Sequence, residues 1–149
     1  MPEPDRPDTP TVIILYGGTG DLAKRMVLPA FYDLFVRDLL PQQFRLVGNG
    51  RGDVAHEDFR GHVRESLEEF GSDLDLSRFD EFAEHVLFAG GGFVRTDPGS
   101  LLDVIDAAER EVGEKPTLIH YMAIPPSAFG QTTEAIAEHG LTGNAKAIY

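Results

Sequence analysis

Short apolar runs alternate along this chain with longer segments in which apolar residues recur every three or four positions. The short runs, rich in β-branched residues, are typical of strands buried on both faces, and the longer spacing is typical of amphipathic helices. Because such strands and helices alternate, the pattern predicts a parallel sheet with helices on both faces. The strands are predicted at 11–16, 44–48, 85–90, 117–123 and 145–149, and the helices at 22–35, 54–71, in part of 72–84, and at 98–112 and 127–139.

Prolines affect two of these helices, one in its interior and one at its start. Pro29 lacks a backbone N–H and is expected to kink the first helix near its second turn. Ser127 follows two prolines and is expected to cap the last helix with its hydroxyl. The apolar face of the first helix is predicted to consist of Leu22, Ala23, Met26, Val27, Ala30, Phe31, Leu34 and Phe35.

Composition and charge narrow the classes of partner. The chain has 149 residues, 42% of them hydrophobic, which predicts one domain with a real core. Its net charge of −12 repels phosphate backbones and anionic bilayers, so nucleic-acid and membrane binding are not expected. It has no cysteine, no apolar run long enough to span a bilayer and no visible signal peptide, which together favour a cytoplasmic location.

The two ends of the chain differ from its middle. Residues 1–10 contain four prolines and are predicted to form a disordered, solvated arm, with the ordered domain at 11–149. The fifth predicted strand ends with the chain at Tyr149. We therefore expect this sequence to be part of a longer protein.

A glycine-rich turn joins the first predicted strand to the first predicted helix. It reads Gly17-Gly18-Thr19-Gly20-Asp21-Leu22-Ala23, and its Gly18, Gly20 and Ala23 match the pattern G-x-G-x-x-A. Such a turn offers unpaired backbone N–H groups at the positive end of a helix, and its glycines let a phosphate approach the backbone. The sequence therefore predicts a dinucleotide site in a Rossmann-type, doubly wound α/β fold. The alternative is a tight turn with incidental glycines.

The end of the second predicted strand favours NADP over NAD. Enzymes that use NAD usually place a carboxylate there for the ribose 2′-hydroxyl, whereas NADP is accommodated by an arginine. Here the strand is followed by Arg51 between two glycines, and the nearest carboxylate, Asp53, comes two residues later. A guanidinium can hold the 2′-phosphate through two hydrogen bonds, to which the Thr19 hydroxyl could add another. The alternative is a solvated surface arginine.

Three separated segments resemble the glucose-6-phosphate 1-dehydrogenase family, in that family's order. They are the glycine turn with Lys24-Arg25 and Leu28-Pro29 after it, Val47-Gly48 with Arg51, and Tyr121-Met122-Ala123-Ile124-Pro125-Pro126-Ser127-Ala128-Phe129. The resemblance implies that residues from each segment, together with Gly92 and Phe93, bind the coenzyme. These residues are Gly17, Gly18, Thr19, Gly20, Asp21, Leu22, Ala23 and Lys24 at the diphosphate, Arg51 at the 2′-phosphate, Gly92 and Phe93 on the adenosine side, Ala123 and Pro125 at the nicotinamide, and Phe129 where some members carry a coenzyme-contacting tyrosine.

The resemblance also implies an activity. The family oxidises glucose 6-phosphate to 6-phosphoglucono-lactone with NADP, the first step of the pentose phosphate pathway, and its members are homo-oligomers. Its general base and sugar-phosphate residues would lie beyond Tyr149, so we expect this chain to be the coenzyme-binding part and to be inactive alone. One departure is Met26, which stands where the family often has a basic residue and which either removes a cation there or packs in the core.

Two other functions stay open at this point. The first is a short-chain reductase or epimerase that uses NADP, although its Tyr-x-x-x-Lys pair is missing from 1–149. The second is a non-catalytic NADP-binding module. None of the five histidines has metal-ligand spacing, so no metal is expected, and His120 either faces the nicotinamide or is a hydrogen-bonded strand histidine.

Overall fold

The computed structural model describes residues 9–52, 54–113, 115–143 and 145–148. In these ranges a single sheet is built from five parallel strands in the order β3-β2-β1-β4-β5. The predicted doubly wound parallel sheet is confirmed, and the strand order reverses at β1, which pairs with both β2 and β4. The strands are β1 (Thr11–Tyr16), β2 (Phe44–Asn49), β3 (Val86–Ala89), β4 (Thr117–Met122) and β5 (Ala145–Ile148).

The connections between the strands contain the predicted helices. A π-helical turn, Ala23–Val27, leads into α1, and short 3₁₀ turns at Leu76–Arg78 and Pro126–Ala128 lead into α3 and α5. The helices are α1 (Leu28–Val36), α2 (His56–Phe70), α3 (Phe79–Ala83), α4 (Leu101–Val112) and α5 (Phe129–Glu138).

The first and last helices begin differently from the expectation. Ahead of Pro29 the chain forms a wide turn in which the Leu28 N–H donates to the Ala23 carbonyl five residues back, so the ladder changes register beside the proline. Ser127 does not cap α5, and that prediction is wrong. The two prolines start a 3₁₀ turn closed by a hydrogen bond from the Ala128 N–H to the Pro125 carbonyl, and α5 then begins at Phe129.

Side chains of β1 point alternately into two cores, one on each face of the sheet. Ile13 and Leu15 face α1, α2 and α3, where the core is rich in phenylalanine, including Phe35, Phe44, Phe59 and Phe82. On the opposite face, Val12, Ile14 and Tyr16 pack against mostly aliphatic residues of α4 and α5 such as Leu101, Ile105 and Ile136. Both faces of the sheet are therefore covered near β1, which is why this strand has no polar residue in its centre.

The apolar face predicted for the first helix is only half correct. Ala23, Val27, Phe31 and Phe35 are buried, whereas Leu22, Met26, Ala30 and Leu34 are exposed. Neighbouring residues on a helix point about 100° apart, so only one of the two rows can face the sheet. Met26 is 65% exposed, which excludes the interpretation that it packs in the core.

Only part of the predicted N-terminal arm can be compared, because residues 1–8 lie outside the described ranges, as does Tyr149. Pro10 already belongs to the folded unit, since its carbonyl accepts a hydrogen bond of 2.9 Å from the Thr117 N–H at the start of β4. Within the described ranges, every helix is too short or too polar to cross a bilayer.

Candidate functional site

A cavity of about 390 Å³ opens at the carboxyl ends of β1 and β2, where the strand order reverses. This is the position at which open parallel sheets bind their ligands. Seven of the predicted coenzyme residues line it, namely Gly17, Thr19, Gly20, Arg51, Gly92, Phe93 and Pro125. The other seven are not among its lining residues, namely Gly18, Asp21, Leu22, Ala23, Lys24, Ala123 and Phe129.

The glycine turn is anchored by hydrogen bonds to the backbone carbonyl of Asn49 at the end of β2. The N–H groups of Gly17 and Gly18 both donate to this oxygen, at 2.9 and 3.0 Å, and the Gly20 N–H donates to the Gly17 carbonyl at 2.8 Å. These three amides are therefore already used. In the described part of the chain, the amides of Thr19, Asp21 and Leu22 have no acceptor, so they are unpaired donors at the helix start, and of these three residues Thr19 lines the cavity.

Gly17 and Gly18 are glycines for different reasons. Gly17 has a φ of +78°, and a Cβ there would stand 2.2 Å from the Ala123 carbonyl oxygen, so a side chain is excluded by both strain and collision. At Gly18 a Cβ would stand 3.1 Å from the Cα of Gly48. Gly18 thus faces β2 and not the cavity, and its role is close packing of the turn on that strand.

Beyond Gly20, the side chains of the turn point away from the cavity. Asp21 forms an exposed ion pair of 2.9 Å with Arg25, and the Lys24 Nζ lies 3.3 Å from Glu69 Oε2 on α2. Ala23 is fully buried in the phenylalanine-rich core, and Leu22 is 47% exposed. Their coenzyme roles stay predictions, and for Asp21 and Leu22 the geometry offers the backbone N–H as the contact.

Arg51 lies in the loop after β2. Its side chain is exposed, lines the cavity and makes no ion pair or hydrogen bond with any residue in the described ranges. Arg25, Arg37 and Arg110, by contrast, are each paired with an aspartate one helical turn away. Since no described residue pairs with it, the Arg51 guanidinium at the mouth of the cavity is available to an anion. Asp53 lies outside the described residues.

Residues from the β3–α4 and β4–α5 loops complete the wall. Gly92 and Phe93 line the cavity on one side, and Pro125 lines it on the other. Ala123 holds the end of β4 against β1, because its N–H donates to the Tyr16 carbonyl at 3.1 Å. Phe129, the first residue of α5, is partly buried against the aliphatic core.

One residue of the cavity lining belongs to a buried tyrosine–histidine pair. Tyr16 lines the cavity from β1, and its hydroxyl lies 2.8 Å from Nδ1 of His120 on β4, while His120 Nε2 lies 3.0 Å from the Leu141 carbonyl. Because that carbonyl only accepts, Nε2 bears the hydrogen of the neutral ring and Nδ1 accepts from Tyr16. Burial raises the pKa of Tyr16 and lowers the pKa of His120. His120 is thus a hydrogen-bonded strand histidine.

Sequence reasoning missed Asn49, which is 4% exposed and lines the cavity. Its side-chain amide donates to the carbonyls of Ala89 and Gly92, in addition to the two hydrogen bonds that its backbone oxygen accepts. A polar residue that ends an apolar strand is the one available signal. The described residues bring together no group of His, Cys, Asp or Glu that could hold a metal ion.

Comparison with known proteins assigns this arrangement to a family. The family model described as glucose-6-phosphate dehydrogenase, NAD binding domain, matches residues 14–148. The chain belongs to this family. The resemblance found in the sequence is therefore confirmed, and the match extends from β1 through β5.

Individual relatives carry the name of the same family and are much longer than this chain. The chain is 34% identical over 134 residues to glucose-6-phosphate 1-dehydrogenase 2 of Mycobacterium bovis, which covers 89% of this chain and 26% of that protein. It is 30% identical over 134 residues to glucose-6-phosphate 1-dehydrogenase of Leuconostoc mesenteroides, covering 88% of this chain and 27% of that protein. The chain thus spans about a quarter of the length of these members of the glucose-6-phosphate dehydrogenase family.

Solved structures share the fold. Glucose-6-phosphate 1-dehydrogenase from Mycobacterium avium matches with a TM-score of 0.76 at 25% identity, over 93% of this chain and 29% of that one. A glucose-6-phosphate dehydrogenase in complex with its substrate glucose-6-phosphate matches with a TM-score of 0.79 at 27% identity, over 97% of this chain and 30% of that one.

Proposed function

We propose that this chain binds NADP and is the coenzyme-binding part of a glucose-6-phosphate dehydrogenase. The observation that carries the proposal concerns two groups of donors that have no partner among the described residues. These are the Arg51 guanidinium and the Thr19, Asp21 and Leu22 amides of the glycine turn. These groups match the two anionic parts of NADP, because amides at a helix start suit a diphosphate and a guanidinium suits the 2′-phosphate.

The space available fits a nucleotide that approaches the bare backbone. A Cβ at Gly17 would collide with Ala123, and a Cβ at Gly20 would lie 3.2 Å from the Gly17 carbonyl, so the backbone there is both tightly folded and uncovered. When bound, the coenzyme supplies the acceptor for a hydride. The residues of this chain would hold the diphosphate at the turn and the 2′-phosphate at Arg51, and would present Pro125 to the nicotinamide end.

The chemistry on the sugar requires groups that the described cavity does not offer. Oxidation at C1 of glucose 6-phosphate needs a general base for the hydroxyl proton. Tyr16 is buried with its hydroxyl donated to His120, and both ring nitrogens of His120 are within hydrogen-bond distance of a partner. We therefore propose that the base and the sugar-phosphate residues are supplied by a longer protein, and that this chain alone does not form NADPH from glucose 6-phosphate.

Two properties of the whole protein belong to the same proposal. Family resemblance supports a homo-oligomer, and the cysteine-free composition fits a cytoplasmic location. The short-chain reductase alternative loses its support, because the family match covers 14–148 and the Tyr-x-x-x-Lys pair is missing. Turnover by the longer protein would separate the dehydrogenase from a non-catalytic NADP-binding module.

The proposal is tested by titrating the chain with NADP⁺ and with NAD⁺ in a calorimeter under the same salt conditions. We expect NADP⁺ to bind more tightly, because only NADP⁺ carries the 2′-phosphate. Equal affinities would contradict the role of Arg51, and the absence of binding by either coenzyme would contradict the proposal as a whole. Formation of NADPH from glucose 6-phosphate by the purified chain would contradict the proposal that the general base and the sugar-phosphate residues lie outside this chain.

A further inference from the structure

One buried amide connects three segments of the cavity wall. The backbone carbonyl of Asn49 accepts hydrogen bonds from the N–H groups of Gly17 and Gly18, which anchors the glycine turn. Its side-chain Nδ2 donates to the Ala89 carbonyl at 3.1 Å and to the Gly92 carbonyl at 3.3 Å, which holds the loop after β3. At one residue, the backbone thus supports one wall and the side chain supports another.

The loop held by this side chain is also the support of the segment that carries Arg51. The Gly92 N–H donates to the Gly50 carbonyl at 2.9 Å, and the Gly91 N–H donates to the Gly52 carbonyl at 3.1 Å. These two carbonyls flank Arg51. The position of the Arg51 backbone therefore depends on where the loop at 90–92 lies, and that loop is tied to β2 by the amide of Asn49.

We propose that Asn49 is a positioning residue that makes the site prefer NADP⁺ over NAD⁺ by holding the loop at 90–92 against the segment that carries Arg51. This inference rests on the proposed coenzyme function. The side chain of Asn49 is expected to affect the binding of NADP⁺ alone, because NAD⁺ lacks the 2′-phosphate that Arg51 would bind. Both coenzymes would bind the glycine turn. That turn is held by the backbone carbonyl of Asn49, so a change of the Asn49 side chain leaves its hydrogen bonds in place.

The central experiment is a double-mutant cycle on this chain with Asn49→Ala and Arg51→Ala. We expect Asn49→Ala to raise the Kd for NADP⁺ about fivefold to tenfold, the scale of one to two lost hydrogen bonds, and to change the Kd for NAD⁺ by less than about twofold. If Asn49 acts through Arg51, then Asn49→Ala adds less than about twofold in the Arg51→Ala background.

A matched control removes a similar bond far from the cavity. Tyr32 is fully buried, and its hydroxyl donates to the Asp75 carbonyl at 2.6 Å, so Tyr32→Phe also deletes a side-chain donor that ties two distant segments together. We expect Tyr32→Phe to lower the thermal unfolding temperature without changing the ratio of the two Kd values. If Asn49→Ala does not fold, Asn49→Ser is used, because its shorter hydroxyl does not span both carbonyls.

The outcomes separate this inference from the function on which it rests. If wild-type chain binds neither coenzyme, the proposed function fails. If wild-type chain prefers NADP⁺ but Asn49→Ala weakens both coenzymes by the same factor, Asn49 is merely structural and the inference is overturned. Full additivity of the two substitutions would also overturn it, because Asn49 would then act independently of Arg51.

Discussion

The glycine turn and the loop after β2 both line the cavity, but they offer different hydrogen-bond donors. The turn offers main-chain amides, and its side chains from Asp21 to Lys24 point elsewhere. The loop after β2 offers one side chain, Arg51, on a segment held by hydrogen bonds from the loop at 90–92. Main-chain donors recognise any diphosphate, whereas a placed guanidinium recognises an additional phosphate. We therefore propose that the affinity shared by both coenzymes comes from one half of the site, the turn, and that the selectivity for NADP⁺ comes from the other half, Arg51.

The largest expected effect comes from Gly17→Ala, which should abolish the affinity shared by both coenzymes. A positive φ costs a residue with a Cβ about 1–2 kcal/mol, and the collision with the Ala123 carbonyl must also be relieved by moving the turn. We expect calorimetry to show at least about a hundredfold loss for NADP⁺ and NAD⁺ alike.

Gly140→Ala is the control for Gly17→Ala. Gly140 has a φ of +73°, close to that of Gly17, but a Cβ there would meet no atom within 4 Å. It should cost stability without affecting either coenzyme. Retention of NAD⁺ binding by Gly17→Ala would show that the turn is not where the coenzymes share their affinity.

The next effect in size is that of Arg51→Ala, which should act on one coenzyme only. A hydrogen bond to a charged group contributes about 1.5–3 kcal/mol, so NADP⁺ binding should weaken by about 1–3 kcal/mol while NAD⁺ binding hardly changes. The control is Arg110→Ala, which removes a cation of the same type from an exposed pair with Asp106 on α4. Equal losses for the two coenzymes would place Arg51 in the shared half of the site.

The sequence predicted the two halves unequally, and the reason is physical. Apolar runs and glycines report on burial and on backbone conformation, so the five strands and the position of the turn followed from local pattern. Which amides stay free depends on Asn49, which is 32 residues from Gly17 in sequence, and no local pattern indicates that contact. The exposure of Met26 and the uncapped start of α5 were missed because each depends on which neighbouring row or turn the fold selects.

Thr19→Val should have a smaller effect, again selective for NADP⁺. Thr19 belongs to the glycine turn, but its Oγ1 would lie 3.0 Å from a Cβ at Gly50, so the hydroxyl stands next to the segment that carries Arg51. Loss of one hydrogen bond to the 2′-phosphate would cost about 0.5–1.5 kcal/mol in NADP⁺ binding. Thr19→Ser keeps the hydroxyl and should behave as wild type. A loss shared with NAD⁺ would instead assign Thr19 to the half that binds the diphosphate.

The smallest expected effect concerns the buried Tyr16–His120 pair and is a dependence of stability on pH. Burial lowers the pKa of His120, and burial likewise lowers the pKa of His62 and of His85, so the unfolded chain takes up protons that the folded chain refuses. The free energy of unfolding should therefore fall as the pH drops below about 6.5, the ordinary pKa of histidine. Urea unfolding without coenzyme is the appropriate measurement. A binding measurement would mix two titrations, because the 2′-phosphate of NADP⁺, a phosphate monoester, itself titrates near pH 6. In His120→Gln the slope between about pH 7 and pH 5 should be shallower than in wild type. An unchanged slope would mean that His120 already takes up its proton in the folded state, and the hydrogen bond from the Tyr16 hydroxyl to a neutral His120 would then have to be abandoned.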